Sequence, residues 1–283
     1  MSGMESARGG RPVAVVIGAT SKWQAQGRNT LLLMGGAVDD AGVPVSARWG
    51  VGGAIAQKFA QEGYLVVLTS RARANAAELA KAIADEGGEA MIVELDLARP
   101  DSIAAAFDQV RREAGSPEVV VYNAGYLEGR ELPPEHELME YFPAEKFETA
   151  IDIACRGPFL VAKEVLPAMR QAGRGSLFFT NNSRGLRGRK RRTGESLYYP
   201  RVMMRALAQA LTEEYSEHGV HVANVTIDGI IDSPGTRAGP AYRGSRLIDP
   251  AQIAEAYWYL HNQHPVCWTH ELQLTPAGQH PSF

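Results

Sequence analysis

Val15-Val16-Ile17-Gly18-Ala19-Thr20-Ser21 and Gly50-Val51-Gly52-Gly53-Ala54-Ile55-Ala56 are two pieces of one motif. The first reads as a buried strand running into a turn. The second reads as the start of the helix that should follow. Joined, they spell GATS-x-GVGGAIA, a strand, a Gly-rich turn and a helix N-terminus. Glycines let the backbone approach a pyrophosphate, and a helix N-terminus offers N–H donors and the positive end of its dipole. The pattern is that of a dinucleotide-binding turn, interrupted by Lys22 to Trp49.

Around this motif, strands and helices alternate. Val13–Ile17 is a continuous apolar run, as expected of a parallel strand buried on both faces. Helix Gly52–Glu62, strand Tyr64–Thr69, helix Ala74–Glu86 and strand Ala90–Leu95 follow. Asp101 suits the N-cap of a helix over Ile103–Ala114, before strand Val119–Tyr122. Leu127–Pro143 reads as a loop with a short helix. A long helical pattern over Ala144–Gln171 carries Gly157-Pro158 as its expected kink. Strand Ser176–Thr180, a basic loop over Asn181–Ser196, helix Tyr198–His218, strand Val220–Ile227, helix Ala251–Asn262 and strand Glu271–Leu274 complete the order. Repeated strand–helix units predict an α/β fold, one parallel sheet with helices on both faces. Residues 1–12 are expected to be a flexible tail, and residues 13–283 a single domain with an insertion at 22–49.

Composition limits the function classes. The chain has 283 residues, 45% of them hydrophobic, enough for one large α/β domain. A formal charge of −3 gives no global basic field to attract nucleic acid. Cys155 and Cys267 are too few and too far apart for a disulfide framework or a zinc site; buried, reduced thiols and no metal are expected. The N-terminus has no apolar core of a signal peptide, and no run approaches the roughly 18 apolar residues of a membrane span. These features predict a soluble, cytoplasmic protein.

Four stretches carry a resemblance to a known family: GATS…GVGGAIA, Leu95-Asp96-Leu97, Asn123-Ala124-Gly125, and RALAQALTEEYSEHGVHVANVTIDG from Arg205 to Gly229. In this order and spacing the chain resembles the short-chain dehydrogenase/reductase family from about Val13 to about Thr275. The resemblance implies a Rossmann-like doubly wound sheet, and hydride transfer between NAD(P) and an alcohol or ketone. It implies cofactor contacts at Gly18, Thr20, Ser21, Gly50, Val51 and Gly52 in the turn. Further contacts are implied at Asp96 and Leu97, at Asn123, Ala124 and Gly125, and at Asp228, Gly229 and Ile230. Asp96 would accept from the adenine amine; the plain alternative is a turn carboxylate.

The residue ending the second strand meets the adenosine ribose in this fold, and a carboxylate there favours NAD. Here the strand ends Thr69-Ser70-Arg71. Hydroxyl donors at Ser70 and a guanidinium at Arg71 suit a 2′-phosphate, so NADP(H) is favoured over NAD(H). Alternatively, Arg71 is a solvated residue leading into the next helix.

The catalytic pattern departs from the family's. Family dehydrogenases use a Tyr as general acid/base with a Lys four residues on, one helical turn away. Alignment through RALAQAL puts Arg201 at the Lys position and Leu197 at the Tyr position. Tyr198 and Tyr199 stand beside it, and Tyr198 pairs with Arg201 at i, i+3. An Arg can lower a neighbouring phenol's pKa but does not itself deprotonate. Asn182 falls where the family has its substrate-positioning Ser, Ser183 is one residue off, and the long-helix Asn of many members falls at Ala154. Tyr198, Tyr199, Ser183, Asn182 and Arg201 are therefore the catalytic candidates. The plain alternative for the two tyrosines is an aromatic pair packing at a helix start, ahead of Pro200. The competing function is a nucleotide-binding protein of this fold without redox catalysis.

Two features stand outside the family pattern. The insertion at 22–49 leaves from the phosphate-binding turn, so a lid over the nicotinamide end, a cover for a partner subunit's sheet edge, a plain surface excursion and a plug of the nucleotide site all remain open. The basic run Arg184, Arg187, Arg189, Lys190, Arg191, Arg192 follows the fifth strand and would suit an anionic small-molecule substrate; a solvated loop is the alternative. Members of the family commonly assemble through the two long helices, so a homo-dimer or homo-tetramer is expected. Tyr257, Trp258, Tyr259 and Trp268 read as core or subunit interface.

Overall fold

The computed structural model describes residues 10–19, 43–125, 140–183, 199–238 and 246–282. The N-terminal tail to residue 9, most of the insertion, the loop at 126–139, the basic run and Tyr198 lie outside the described residues, as do Thr20 and Ser21.

Seven parallel strands form the central sheet: β1 (Val13–Ile17), β2 (Leu65–Ser70), β3 (Glu89–Glu94), β4 (Val119–Tyr122), β5 (Gly175–Asn182), β6 (Val220–Ile227) and β9 (Glu271–Leu274). Their order is β3-β2-β1-β4-β5-β6-β9, so the connection reverses between β1 and β4. Loops that diverge there open a crevice at the strands' C-terminal ends. Strands β7 (Ile230–Ile231) and β8 (Leu247–Ile248) make a separate parallel pair beside it.

Helices cover both faces. On one lie α2 (Gly50–Gln61), α3 (Ala77–Asp85) and α9 (Pro250–His261), packing Ile55, Phe59, Leu79 and Tyr257 against Phe178 and Val225. On the other lie α4 (Pro100–Glu113), α6 (Gly157–Ala172) and α7 (Val202–Tyr215), packing Phe107, Val165 and Met204 against Val120 and Phe179. The central strands β1 and β4 are buried at every residue, which is why they read as unbroken apolar runs.

Several sequence expectations are corrected. Asp101 does not cap α4; Arg99 does, Pro100 is the first helical residue and Asp101 sits in the first turn. The long helix divides into α5 (Ala144–Ile151), a π-turn over Asp152–Arg156, and α6. The break therefore precedes Gly157-Pro158. It leaves the Ile153 carbonyl to accept from Tyr122 Oη at 2.6 Å. Strand β5 runs two residues beyond Thr180, because Asn181 and Asn182 continue the ladder to Thr226 and Ile227. Cys267 is exposed and Cys155 half-buried, so neither is a buried thiol.

The end of the insertion belongs to the core. Val45–Arg48 forms a short helix, α1, and Trp49 links it to α2. Val43, Ala47 and Trp49 are buried, and Ser46 Oγ reaches Asp249 Oδ2 at 3.3 Å at the start of α9. A surface excursion over the whole of 22–49 is thus excluded for its last seven residues.

Candidate active site

Both halves of the split turn meet in the folded chain. Gly18 turns out of β1 with φ +85°, and its N–H faces Thr69 Oγ1 at 3.4 Å. Thr69 Oγ1 in turn donates to the Val16 carbonyl at 3.3 Å, so the end of β2 braces the turn. Asn123 closes the other side, its Nδ2 donating to the Gly18 carbonyl at 3.3 Å. A Cβ on Gly52 would stand 2.5 Å from that same carbonyl, and a Cβ on Gly18 2.8 Å from Ala124 Cα. Only glycine fits at either position. Gly50, at φ +64°, lets the chain swing from α1 into α2, and the side chain of Trp49, which precedes α2, makes no capping bond. Its first-turn N–H groups, Val51 and Gly52 included, suit an anion.

Strand ends next to this turn supply the remaining cofactor candidates. Ser70 is buried and accepts from Asn75 Nδ2 at 3.2 Å, whereas Arg71 is exposed. Asp96 Oδ1 accepts from Ala98 N at 3.1 Å, and Asp96 N donates to Ser102 Oγ at 3.0 Å, while Leu97 is buried beside them. The Asp96 carboxylate thus shapes its own turn and keeps acceptor capacity over. A bound dinucleotide fits this donor set: glycines at the pyrophosphate turn, a hydroxyl and guanidinium at the ribose, and Asn123-Ala124-Gly125 at the far end.

Arg201 sits against the segment that follows β4. It closes a 3₁₀ turn over Tyr199–Arg201 at the head of α7 and is 9% exposed. Its Nη2 donates to the Ala124 carbonyl at 3.3 Å. Its charge reaches two buried phenols: burial pushes Tyr122 and Tyr257 up, and Arg201 works against that rise. Tyr199 falls in the same turn. The i, i+3 pairing of Tyr198 with Arg201 lies outside the described residues.

Strand alternation sorts the β5 candidates. Phe178 and Thr180 face α9, Thr180 Oγ1 bonding Tyr257 Oη at 2.6 Å. Phe179 and Asn181 face α7. Asn182 continues the first series, and Ser183 follows the end of the strand. The residue that sequence reasoning passed over is Asn181. It is buried, donates from Nδ2 to Asn224 Oδ1 at 2.8 Å and to the Arg201 carbonyl at 3.5 Å, and its Oδ1 has no partner among the described residues. Asn224 Nδ2 goes on to Glu271 Oε2 at 3.0 Å, and Glu271 Oε1 takes Arg205 Nε at 2.8 Å. The chain of amides starts from a carboxylate, which fixes the direction of every donor in it. The period-2 position of Asn181 was the signal that could have found it.

Asp228, Gly229 and Ile230 follow β6. Ile230 pairs with Leu247 in the small sheet, and a Cβ on Gly229 would press on Ile248 and Pro276. The Asp228 carboxylate is 1% exposed and takes four donor bonds from within the chain, from Gln273, from Thr275 and twice from Ser282. Burial alone would raise its pKa, but the donors of Ser282, Ser183 and Gln273 outweigh burial and hold it below the usual carboxylate range.

Comparison with known proteins matches this architecture. The family model described as enoyl-(acyl carrier protein) reductase matches residues 45–264. The chain is 31% identical over 227 residues to cis-4-hydroxycyclohexanecarboxylate dehydrogenase of Sinomonas cyclohexanicum, covering 77% of this chain and 87% of that protein. It is 26% identical to an uncharacterized oxidoreductase of Staphylococcus saprophyticus, over 84% of this chain and 98% of that one. Among solved structures, a metagenomic short-chain oxidoreductase in complex with NADP superposes with a TM-score of 0.67 at 27% identity, covering 94% of this chain and 97% of that chain. The fold is shared with an alcohol dehydrogenase from Thermococcus sibiricus, at a TM-score of 0.70 and 23% identity over 96% of this chain and 99% of that chain. With the doubly wound sheet and its Gly-rich turn in place, the chain belongs to the short-chain dehydrogenase/reductase family of oxidoreductases.

Proposed function

We propose that this protein is an NADP(H)-dependent oxidoreductase that interconverts an alcohol and a carbonyl compound with a proton donor other than the family's Tyr-x-x-x-Lys pair. The observation that carries the reading is the meeting of Gly18, Gly52 and Asn123 beneath a buried Arg201. The cradle needs glycine at two positions, and Arg201, a buried cation, stands where the nicotinamide end of a dinucleotide would lie. When bound, NADP(H) supplies or takes the hydride.

Gly18, Gly50, Val51 and Gly52 would hold the pyrophosphate. Ser70 and the exposed Arg71 would hold the 2′-phosphate, and Asp96 and Leu97 the adenine. Asn123, Ala124 and Gly125 would line the ribose. Arg201 would keep its charge throughout the reaction and stabilise an oxyanion or a phenolate at Tyr198 or Tyr199. Ser183, which follows the end of β5, would orient the reacting oxygen. Two similar proteins support parts of this reading: a metagenomic short-chain oxidoreductase is complexed with NADP, and the Sinomonas dehydrogenase is named for a hydroxy acid. The second fits the basic run after β5, which would favour an anionic substrate.

Assembly into a homo-dimer or homo-tetramer is part of the proposal. Phe159 on α6 and Val202 and Met203 on α7 are exposed apolar side chains on the two long helices. Light scattering after gel filtration tests it, a monomer at micromolar concentration counting against it.

Equilibrium binding of NADPH and NADH to the purified chain tests the cofactor. The expected result is NADPH binding at least about tenfold tighter, with the preference lost in Arg71→Ala. Turnover is then sought with cis-4-hydroxycyclohexanecarboxylate and other hydroxy acids. Binding without turnover of any alcohol or ketone would favour the nucleotide-binding alternative, and no binding of either cofactor would sink the oxidoreductase reading.

A further inference from the structure

Strand β2 ends without an acid, but the sheet brings one to that end from the neighbouring strand. The β2–β3 register pairs Ser70 with Glu94, and Leu95 N donates to the Ser70 carbonyl at 2.9 Å. Partners in such a ladder stand side by side, about 4.8 Å apart, with their side chains on the same face of the sheet. Glu94 is exposed, and its Oε1 accepts from Arg73 N at 3.2 Å. Its carboxylate is thereby held against the loop that leads from β2 into the 3₁₀ turn Arg73–Asn75. That loop carries Ser70 and Arg71, which would hold the 2′-phosphate of NADP(H).

The groups around the loop divide by charge. Ser70 Oγ accepts from Asn75 Nδ2 at 3.2 Å and keeps its own proton to donate. The Arg73 guanidinium is turned away along β3, its Nη1 donating to the Ile92 carbonyl at 2.6 Å, two residues back from the strand end. A 2′-phosphate at Ser70 and Arg71 would therefore meet the Glu94 carboxylate as well as its attractive partners.

Resting on the NADP(H) reading, we propose that Glu94 is a specificity-determining residue that opposes the cofactor's 2′-phosphate and so limits the preference for NADP(H) over NAD(H). The two cofactors differ only in that phosphate, so a charge acting on it changes their ratio and leaves the shared pyrophosphate contacts alone. Discrimination is a difference of affinities, and repulsion sets it as much as attraction does. At a solvent-facing position the repulsion is worth a factor of about five at low salt. Glu94→Gln separates charge from structure. Its amide oxygen can still accept from Arg73 N, so the loop stays pinned while the charge is gone. Glu94→Ala removes both.

The test measures equilibrium binding of NADPH and NADH to the full chain, wild type, Glu94→Gln and Glu94→Ala, by cofactor fluorescence. At about 0.05 M salt, Glu94→Gln is expected to bind NADPH about fivefold more tightly and NADH within about twofold of wild type. At about 0.5 M salt the gain should fall below about twofold, because exposed charges are screened. An unmoved ratio in Glu94→Gln, or an equal change for both cofactors, overturns the proposal. So does a Glu94→Gln chain that matches wild type beside a Glu94→Ala chain that loses both cofactors alike, since Glu94 would then only pin the loop. Binding of both cofactors with an unmoved ratio sinks this proposal alone. Binding of neither by the wild-type chain sinks the NADP(H) reading, and this proposal with it.

Discussion

The Arg201 guanidinium lies over Gly125: its Nη2 bonds the Ala124 carbonyl at 3.3 Å and fills the space where a Gly125 Cβ would project. A methyl there meets the far end of a long side chain rather than backbone, so the guanidinium would yield and the strand would not. Gly125→Ala should therefore leave stability within about 1 kcal/mol of wild type. If Arg201 serves the cofactor as proposed, the change should still weaken NADPH binding about tenfold by displacing this buried cation. Denaturant melts and cofactor fluorescence titrations check the two halves. A large drop in stability with intact binding would show that Arg201 is a structural strut and no part of the site.

At Gly52 the obstacle is of the other kind. A Cβ would stand 2.5 Å from the Gly18 carbonyl and 2.7 Å from Asn123 Nδ2, and the carbonyl cannot move without opening the turn after β1. Gly52→Ala should cost about 1–3 kcal/mol and abolish NADPH binding together with it. Normal affinity in a stably folded Gly52→Ala chain would mean that the two halves of the split turn do not cooperate in holding nucleotide.

The order of strands, the parallel sheet and the split turn were legible because each is written in a local pattern. Val13–Ile17 and Val119–Tyr122 are unbroken apolar runs, and Gly18 and Gly52 are glycines where a side chain would collide. The site's polar face was less legible because it is assembled from three strands far apart in sequence. Asn181, Asn224 and Glu271 form one chain of hydrogen bonds only when β5, β6 and β9 are in register. Counting from the family's serine favoured Asn182, whereas pleat alternation sets Asn181 on the Arg201 face. The anchoring of Ser282 at Asp228 has no local signal at all; its partners are 54 residues apart.

Insertion residues 43–49 behave as core, and this separates two deletions. Removing residues 22–42 spares Trp49, which is 5% exposed and packs over Gly53. Removing residues 22–49 takes it away together with Val43 and Ala47. The longer deletion should cost about 3–5 kcal/mol more than the shorter, as Trp49→Ala should by itself. NADPH affinity of the shorter variant then bears on a lid formed by residues 22–42 without the confounding loss of core. Unchanged affinity and turnover would leave that lid without support.

His261 gives the fold a pH dependence of predictable sign. Its Nε2 lies 2.6 Å from Tyr64 Oη and its Nδ1 2.9 Å from Ser176 Oγ, with the Glu118 carboxylate 3.8 Å away and itself paired to Arg174 at 3.4 Å. Burial, and then Glu118, push the Tyr64 phenol up, so it stays protonated, and its hydroxyl donates to Glu118 Oε1 at 3.4 Å while lying against the ring. Burial holds the imidazole pKa below its ordinary value, with Glu118 opposing. Below about pH 6.5 the unfolded chain binds a proton at this position that the folded chain refuses. Stability is therefore complete above that pH and falls as pH drops, by up to about 1.4 kcal/mol per unit from this one residue. His261→Gln, which keeps a polar group between Tyr64 and Ser176, should lower stability at pH 7.5 but flatten its decline between pH 6.5 and 5. Urea midpoints at the two ends of that range for both chains decide it. Parallel curves would mean that His261 titrates alike in the folded and unfolded chain, and the acid sensitivity would have to come from elsewhere.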